Sequence, residues 1–340
     1  MRLDTQPVTL LDRVRVFIAR RTEGRAVILL VLVGTFAAIV EPVVFTSFQV
    51  TLGRVALVGL VALGLTVVIL VGELDLSVAS TLAVSGVVMA SIPDIGLGIV
   101  AALVTGVVIG LINAFFVVVV GINSFIATLG MLFALRGLAF VLSNEEPVRL
   151  TNIDFGLAFG TPILGPLTPR VLLFFLAFVV LQLFLTRVKS GREFYAVGGN
   201  RQAAVDAGIP VKRRLVTAFV ISGFVAALAG VINTLERTAA DPTAGSTVLL
   251  ASIAAAIIGG VALTGGRGSI LGTLIGAFAL GMLQVTLTLS GVQVDVQDIF
   301  VGVVLFLAII TDPANLRAAI NGLRLSFQGR DRARPPASAS

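Results

Sequence analysis

The stretch from Gln49 to Pro93 reads "QVTLGRVALVGLVALGLTVVILVGELDLSVASTLAVSGVVMASIP", and it decides the fold class. Residues 49–71 are almost wholly apolar. A helix over them rises about 35 Å, enough to cross a hydrocarbon core of about 30 Å. The polar break "GELDLS" at 72–77 follows, and then the 15 residues Ser77–Ser91 before Pro93. That second run reaches only about 22 Å as a helix. Such a short, glycine-interrupted segment either begins inside the bilayer and lines a polar cavity or is simply a thin or tilted helix.

Moving outward, the rest of the chain repeats the first pattern. Of its 340 residues 57% are hydrophobic and 12% charged, with a mean hydropathy of +1.08. That leaves too little polar surface to cover a water-soluble globule. Apolar runs stand near 26–42, 49–71, 76–92, 96–120, 124–143, 170–187, 214–235, 247–264, 269–290 and 297–311, and no β-barrel alternation occurs. The expectation is an all-α integral membrane protein of about ten transmembrane helices, the third short or broken.

Charge sets the orientation. Most of the 24 Lys and Arg residues fall in the head (Arg2, Arg13, Arg15, Arg20, Arg21, Arg25), the 188–213 loop and its edges, the "GGRGS" turn and the tail. The intervening loops hold Arg54, Arg149, Arg170 and Arg237 among more numerous acids. The positive-inside rule then places both termini in the cytoplasm. It divides the chain into a basic cytoplasmic segment 1–25, a transmembrane domain 26–311 with a cytoplasmic loop 188–213, and a partly disordered tail 312–340. No small-residue cleavage site follows the first run, so that run reads as a retained helix. A net charge of +6 is a topology signal on this account, and no nucleic-acid partner is expected.

Absences narrow the chemistry. With no Cys and no His, thiol nucleophiles, imidazole bases, disulfides and Cys/His metal sites are excluded. No Gly-x-x-x-x-Gly-Lys-Ser/Thr loop occurs, so energy from ATP would have to come from another chain.

Ionisable residues within the apolar runs are candidates for function. Glu73 and Asp75 flank Leu74 at the first break, and Asp75 or Ser77 could equally cap the following helix. Arg136 lies about 18 Å along a helix beginning at Ser124, where it needs a partner or a wet cavity. Asn123, Ser124 and Thr128 at the start of that helix join Glu73, Asp75, Ser77 and Arg136 as candidates for a substrate path or gate. "GELDLSVAST" at 72–81 is echoed by "GGRGSILGT" at 265–273, with Ser77 and Thr81 matched by Ser269 and Thr273, as in a parallel repeat. Small residues at spacing four (Ala102, Gly106, Gly110; Gly272, Gly276) predict close helix packing.

The loop "GREFYAVGGNRQAAVDAGIP" at 191–210 does more than carry charge. Asn200 suits a helix N-cap, "RQAAVDA" suits a helix, and Gly208 suits its left-handed stop. A helix of about two turns is unstable alone in water and needs a packing partner. Gly198 and Gly199 are read as a sharp turn into it.

Four stretches in order, "GELDLSVAS", "FIATLGMLFALRGLAFVLS", "GREFYAVGGNRQAAVDAGIPVKR" and "AAAIIGGVALTGGRGSILGTLIGAFALGML", resemble the ribose/xylose/galactose-type permease subunits of bacterial ABC importers over residues 50–311. The resemblance implies that the loop carries a coupling helix for a cytosolic ATPase, a role that falls on Gly198, Gly199, Asn200, Arg201, Ala203, Ala204 and Gly208. It also implies a second permease copy or paralogue, an extracytoplasmic sugar-binding protein, no cofactor in this chain, and ATP with Mg on the ATPase. Three departures bear on the ligand: Glu73 where that family usually has Gly, Leu249 and Ala251 at commonly acidic positions, and no aromatic pair in "SGVQVDVQD". Other readings are an ion-coupled transporter using Glu73, Asp75 and Arg136, a scaffold without transport, or an ABC permease for a nucleoside or branched-chain amino acid.

Overall fold

A computed structural model describes residues 23–310. Most of the basic head and all of the polar tail lie outside the described residues. Within them the order is α1 (Gly24–Val40), one-turn α2 (Val43–Thr46), α3 (Phe48–Leu70), α4 (Val78–Ala90), α5 (Ile95–Ala114), α6 (Ser124–Ser143), α7 (Ile153–Gly160), α8 (Pro169–Arg187), α9 (Lys189–Gly199), α10 (Arg201–Asp206), α11 (Val211–Arg237), α12 (Ser246–Ile258), α13 (Ile270–Leu289) and α14 (Val294–Ile310). A π-helical turn, Phe115–Val120, prolongs α5.

Each apolar run of the sequence carries one helix. Six helical stretches, at α3, α5 with its π turn, α6, α8, α11 and α13, are long and apolar enough to cross a membrane. The apolar helices α1, α4 and α12 are shorter. The third run gives the 13-residue α4, about 20 Å long, preceded by unwound chain from Val71 to Ser77.

Helix α3 forms the axis of the molecule, since 94% of its apolar window is buried by other helices. The corresponding shares for α5, α6 and α8 are 28%, 17% and 28%, and these helices show apolar flanks outward. In lipid no hydrophobic force drives helices together, so close fit must hold them. At the α5–α11 crossing a Cβ on Gly106 would collide with the Gly223 carbonyl, and one on Gly110 with the Phe219 carbonyl. Gly272 and Gly276 of α13 lie in the same way against Gly259 and Ala255 of α12. The spacing-four pattern is thus a contact surface between helices of this chain.

Two local devices fix the ends. At the end holding Glu236 and Arg170, these residues form an ion pair between α11 and α8, and β1 (Val148–Arg149) pairs antiparallel with β2 (Ala239–Ala240). At the opposite end the segment 188–199, expected as loop, is the helix α9. Its Phe194 is fully buried and packs edge-on to Phe184 at a 5.6 Å centroid distance, and Glu193 pairs with Arg214 of α11 at 2.6 Å.

Candidate functional site

At the second of these ends, two glycine turns meet. Gly72 ends α3 with φ +81°, and Gly265 and Gly266 turn before α13 with φ +82° and +70°. Only glycine takes these angles without strain. The Gly266 amide donates to the Leu70 carbonyl at 2.9 Å, and Gly265 sits against Gly72 so closely that no Cβ would fit between them. The two stretches that echo each other in sequence therefore touch in space. Ser269 caps α13 by accepting from the Gly272 amide at 2.9 Å, while donating to Glu23 Oε1 at 2.8 Å. The residue preceding α1 is thereby tied to the same end.

Helix α9 delivers its last turn into this junction. A Cβ on Gly198 would strike the Leu70 carbonyl and lie 2.5 Å from the Gly266 amide, whereas Gly199 has open space around it. The reading of Gly198 and Gly199 as a sharp turn is corrected accordingly: both are helical, and Gly198 serves close backbone approach. Asn200 then breaks the helix in extended conformation and its Oδ1 accepts from the Ala203 amide at 3.0 Å, starting α10. Gly208 stops it at φ +73°. On α10, Ala204 is buried, while Ala203 and Val205 face outward with Gly208 just beyond. Arg201 reaches back to Glu73 Oε1 at 2.7 Å and to the Val71 carbonyl at 3.4 Å. The first residues of α10 and the first break are one connected unit.

Beyond Glu73 the unwound chain turns inward, where every exposed amide must find a partner in the protein. Leu74 donates its amide to Ser124 Oγ at 3.2 Å, and Leu76 to Thr128 Oγ1 at 3.1 Å. One turn apart on α6, these two hydroxyls clip the break in place. Asp75 is buried and gathers four donors: the Ser77 amide at 3.1 Å, Ser77 Oγ at 2.6 Å, Ser222 Oγ of α11 at 2.8 Å and Asn113 Nδ2 of α5 at 3.4 Å. Asn113 Nδ2 also donates to Ser77 Oγ at 2.7 Å. A carboxylate with this donor set is a joint between three helices.

The sequence candidates thus separate into groups. Gly198, Gly199, Asn200, Arg201 and Glu73 share the junction, with Ala203, Ala204 and Gly208 on the adjoining α10. Asp75, Ser77, Ser124 and Thr128 share the inward joint. Asn123 stands beside it as a cap of α6, accepting from the Phe125 amide at 3.0 Å. Arg136 lies apart and donates to the carbonyls of Pro242 at 2.9 Å and Ala244 at 3.3 Å, a tie to the loop before α12.

Sequence reading missed three contributors. Asn113 and Ser222 carry no charge to mark them, and their signal was only a single neutral polar side chain inside an apolar stretch of helix. The third is a cavity of about 140 Å³ at the opposite end of α3 and α11, walled by Arg54, Asn233, Arg237, Asp241 and the residues opening α12. Its arginines stand far apart in sequence and were read only as loop charges.

The family model described as "Branched-chain amino acid transport system / permease component" matches residues 47–309. The ribose import permease protein of Escherichia coli strain K12 is 37% identical over 301 residues, 85% of this chain and 93% of that one. That of Bacillus subtilis strain 168 is 38% identical over 267 residues, covering 77% and 83% of the two chains. The L-arabinose ABC transporter permease protein of Azospirillum brasilense is 36% identical over 273 residues, covering 78% and 79%. No solved structure matches the chain. Matched over most of its length, the chain belongs to this family of transport-system permease components.

Proposed function

We propose that the chain is the membrane-spanning subunit of an ABC importer of the bacterial inner membrane, moving a monosaccharide or related polyol by alternating access. The relatives named for ribose, arabinose and allose support a sugar over a branched-chain amino acid or nucleoside. On this reading ten helices span the membrane, and the distribution of basic residues supports a cytoplasmic side for both termini, α9, α10 and the 264–268 turn. A separate ATPase, carrying ATP and Mg, docks on α10; a second permease copy or paralogue completes the path, and an extracytoplasmic binding protein delivers the ligand.

The observation that carries this reading is the unit formed by α10 and the first break. Helix α10 has only six residues, too few to be stable alone, and it leaves Val205 exposed beside two exposed alanines, Ala203 and Ala207. Through Arg201 and Glu73, and through Gly198 against Leu70, any push on α10 reaches the unwound chain. From there Asp75 passes the displacement to α5 and α11. ATP-driven movement of a docked partner would so be converted into rearrangement of spanning helices. The carboxylates considered for ion coupling both have committed protein partners, which favours an ATP-driven over an ion-driven device.

Reconstituted uptake tests the proposal. Proteoliposomes holding the permease and its ATPase, supplied with loaded binding protein, take up sugar when ATP is inside and continue when ion gradients are dissipated. Replacing residues 200–208 by a Gly/Ser segment abolishes uptake. Uptake that persists without ATP and collapses with the ion gradient refutes it.

A further inference from the structure

The cavity that sequence reading missed lies about 24 Å along α3 from the junction, counting from Leu70 back to Arg54. Leu57, Leu82 and Val248 give it apolar wall, while Arg54, Arg237, Asn233 and Asp241 give it polar wall. Arg54 donates Nε to Gln284 Oε1 at 2.9 Å, and Arg237 donates Nε to Asn233 Oδ1 at 3.3 Å. Both guanidiniums are therefore anchored through one nitrogen to a neutral amide. Among the described residues neither makes an ion pair. Two positive groups around one small cavity repel each other and are costly at the edge of hydrocarbon; Asp298 of α14 attracts Arg54, but packing alone gives no reason to keep the two arginines together. Asp241 uses Oδ1 to accept from the Thr243 amide and hydroxyl, both at 2.7 Å. Among the described residues its second oxygen accepts no hydrogen bond.

We infer that this cavity is a substrate-reading site on the permease itself, in which the terminal nitrogens of Arg54 and Arg237 and the free oxygen of Asp241 grip a small neutral polyhydroxylated molecule. Planar guanidinium forks suit adjacent hydroxyl oxygens, a carboxylate accepts from a hydroxyl, and the leucine and valine walls suit the C–H face of a sugar ring. The mixed set of two cations and one acid distinguishes this ligand from a simple anion. Arg136 buttresses the wall by holding the Ala244 carbonyl, which gives that intramembrane arginine a use. The inference rests on the sugar-importer reading and deepens it: selection would be made twice, by the binding protein and again at the mouth of the path.

The test is uptake of radiolabelled D-ribose, L-arabinose and D-allose by proteoliposomes of the permease–ATPase complex with saturating loaded binding protein. Arg237→Gln and Arg54→Gln each lower the maximal rate about ten-fold or more, and Arg237→Lys fails to restore it because an ammonium lacks the fork. Ser246→Trp, at an exposed position on the cavity rim, blocks uptake without removing any buried contact. Arg149→Gln, an exposed arginine of β1 at the same end, leaves the rate unchanged. Wild-type rates and sugar preference in R54Q, R237Q and S246W together overturn the site while leaving the importer reading intact. Equal losses in R149Q overturn it too, by assigning the effect to surface charge. A wild-type complex that takes up none of a panel of neutral pentoses and hexoses overturns the importer reading, and the site with it.

Discussion

Breaking the Arg201–Glu73 pair should uncouple ATP hydrolysis from transport, and more severely from one side than from the other. The pair is 2.7 Å long, with the Arg201 side chain 49% exposed and that of Glu73 only 10%. A fully exposed pair contributes roughly 0.2–1 kcal/mol, and a charge-assisted hydrogen bond about 1.5–3 kcal/mol. One partner in water and one out of it puts this pair between the two, at about 1–2 kcal/mol, or roughly 5- to 30-fold in an equilibrium. Glu73→Gln leaves a half-exposed guanidinium that water can solvate. Arg201→Gln leaves a buried carboxylate unpaired, the costlier defect. The assay is sugar taken up per ATP hydrolysed in proteoliposomes, for both single variants and for the double variant. The ratio should fall in both singles, further in R201Q, and the double should be no worse than R201Q. Effects of the two substitutions that add within about 0.3–0.5 kcal/mol would show that the pair transmits nothing.

Three further outcomes follow from the same geometry. Gly198→Ala forces a Cβ into the Leu70 carbonyl and should cost about 1–3 kcal/mol, seen as a lowered melting temperature of the detergent-solubilised protein, while Gly199→Ala, facing open space, should melt as wild type. Thr128→Val keeps the shape of the side chain but leaves the Leu76 amide without its acceptor, a loss of about 1–3 kcal/mol measurable in the same melt. Asp75→Asn replaces an acceptor of four donors by a group that is itself half donor; it should lower uptake sharply with the complex still assembled on gel filtration, and normal uptake by D75N would remove Asp75 from the relay.

What was legible in the sequence divides along physical lines. Hydropathy located a helix in every apolar run because lipid and core impose the same demand on letters. The short third helix was visible in Pro93 and the "GELDLS" break, and α10 in Asn200 and Gly208, since caps and stops are local chemistry. Helix α9 was not visible, because its polar, glycine-flanked letters suit a loop and only the packing of Phe194 and the pairing of Glu193 with Arg214 fix it. Nor was the partnership of Glu73 with Arg201, which joins positions 128 apart in sequence. Gly198 illustrates the same limit: a glycine announces freedom or proximity, and only the neighbouring Leu70 carbonyl tells which. The Arg54–Arg237 cavity failed to appear for a related reason, since loop charges look alike until the helices bring their ends together.

The most direct test of the central claim, that α10 is the surface through which a separate ATPase drives this subunit, uses the absence of cysteine from the chain. Val205→Cys places a single thiol on the exposed face of α10, where Val205 is 52% exposed. In the assembled complex that thiol should be shielded from a maleimide probe and cross-link to the ATPase, while Thr151→Cys, exposed at the opposite end of the molecule, stays reactive. If Val205→Cys reacts as fast in the complex as in the isolated permease and forms no cross-link, α10 is not the coupling element.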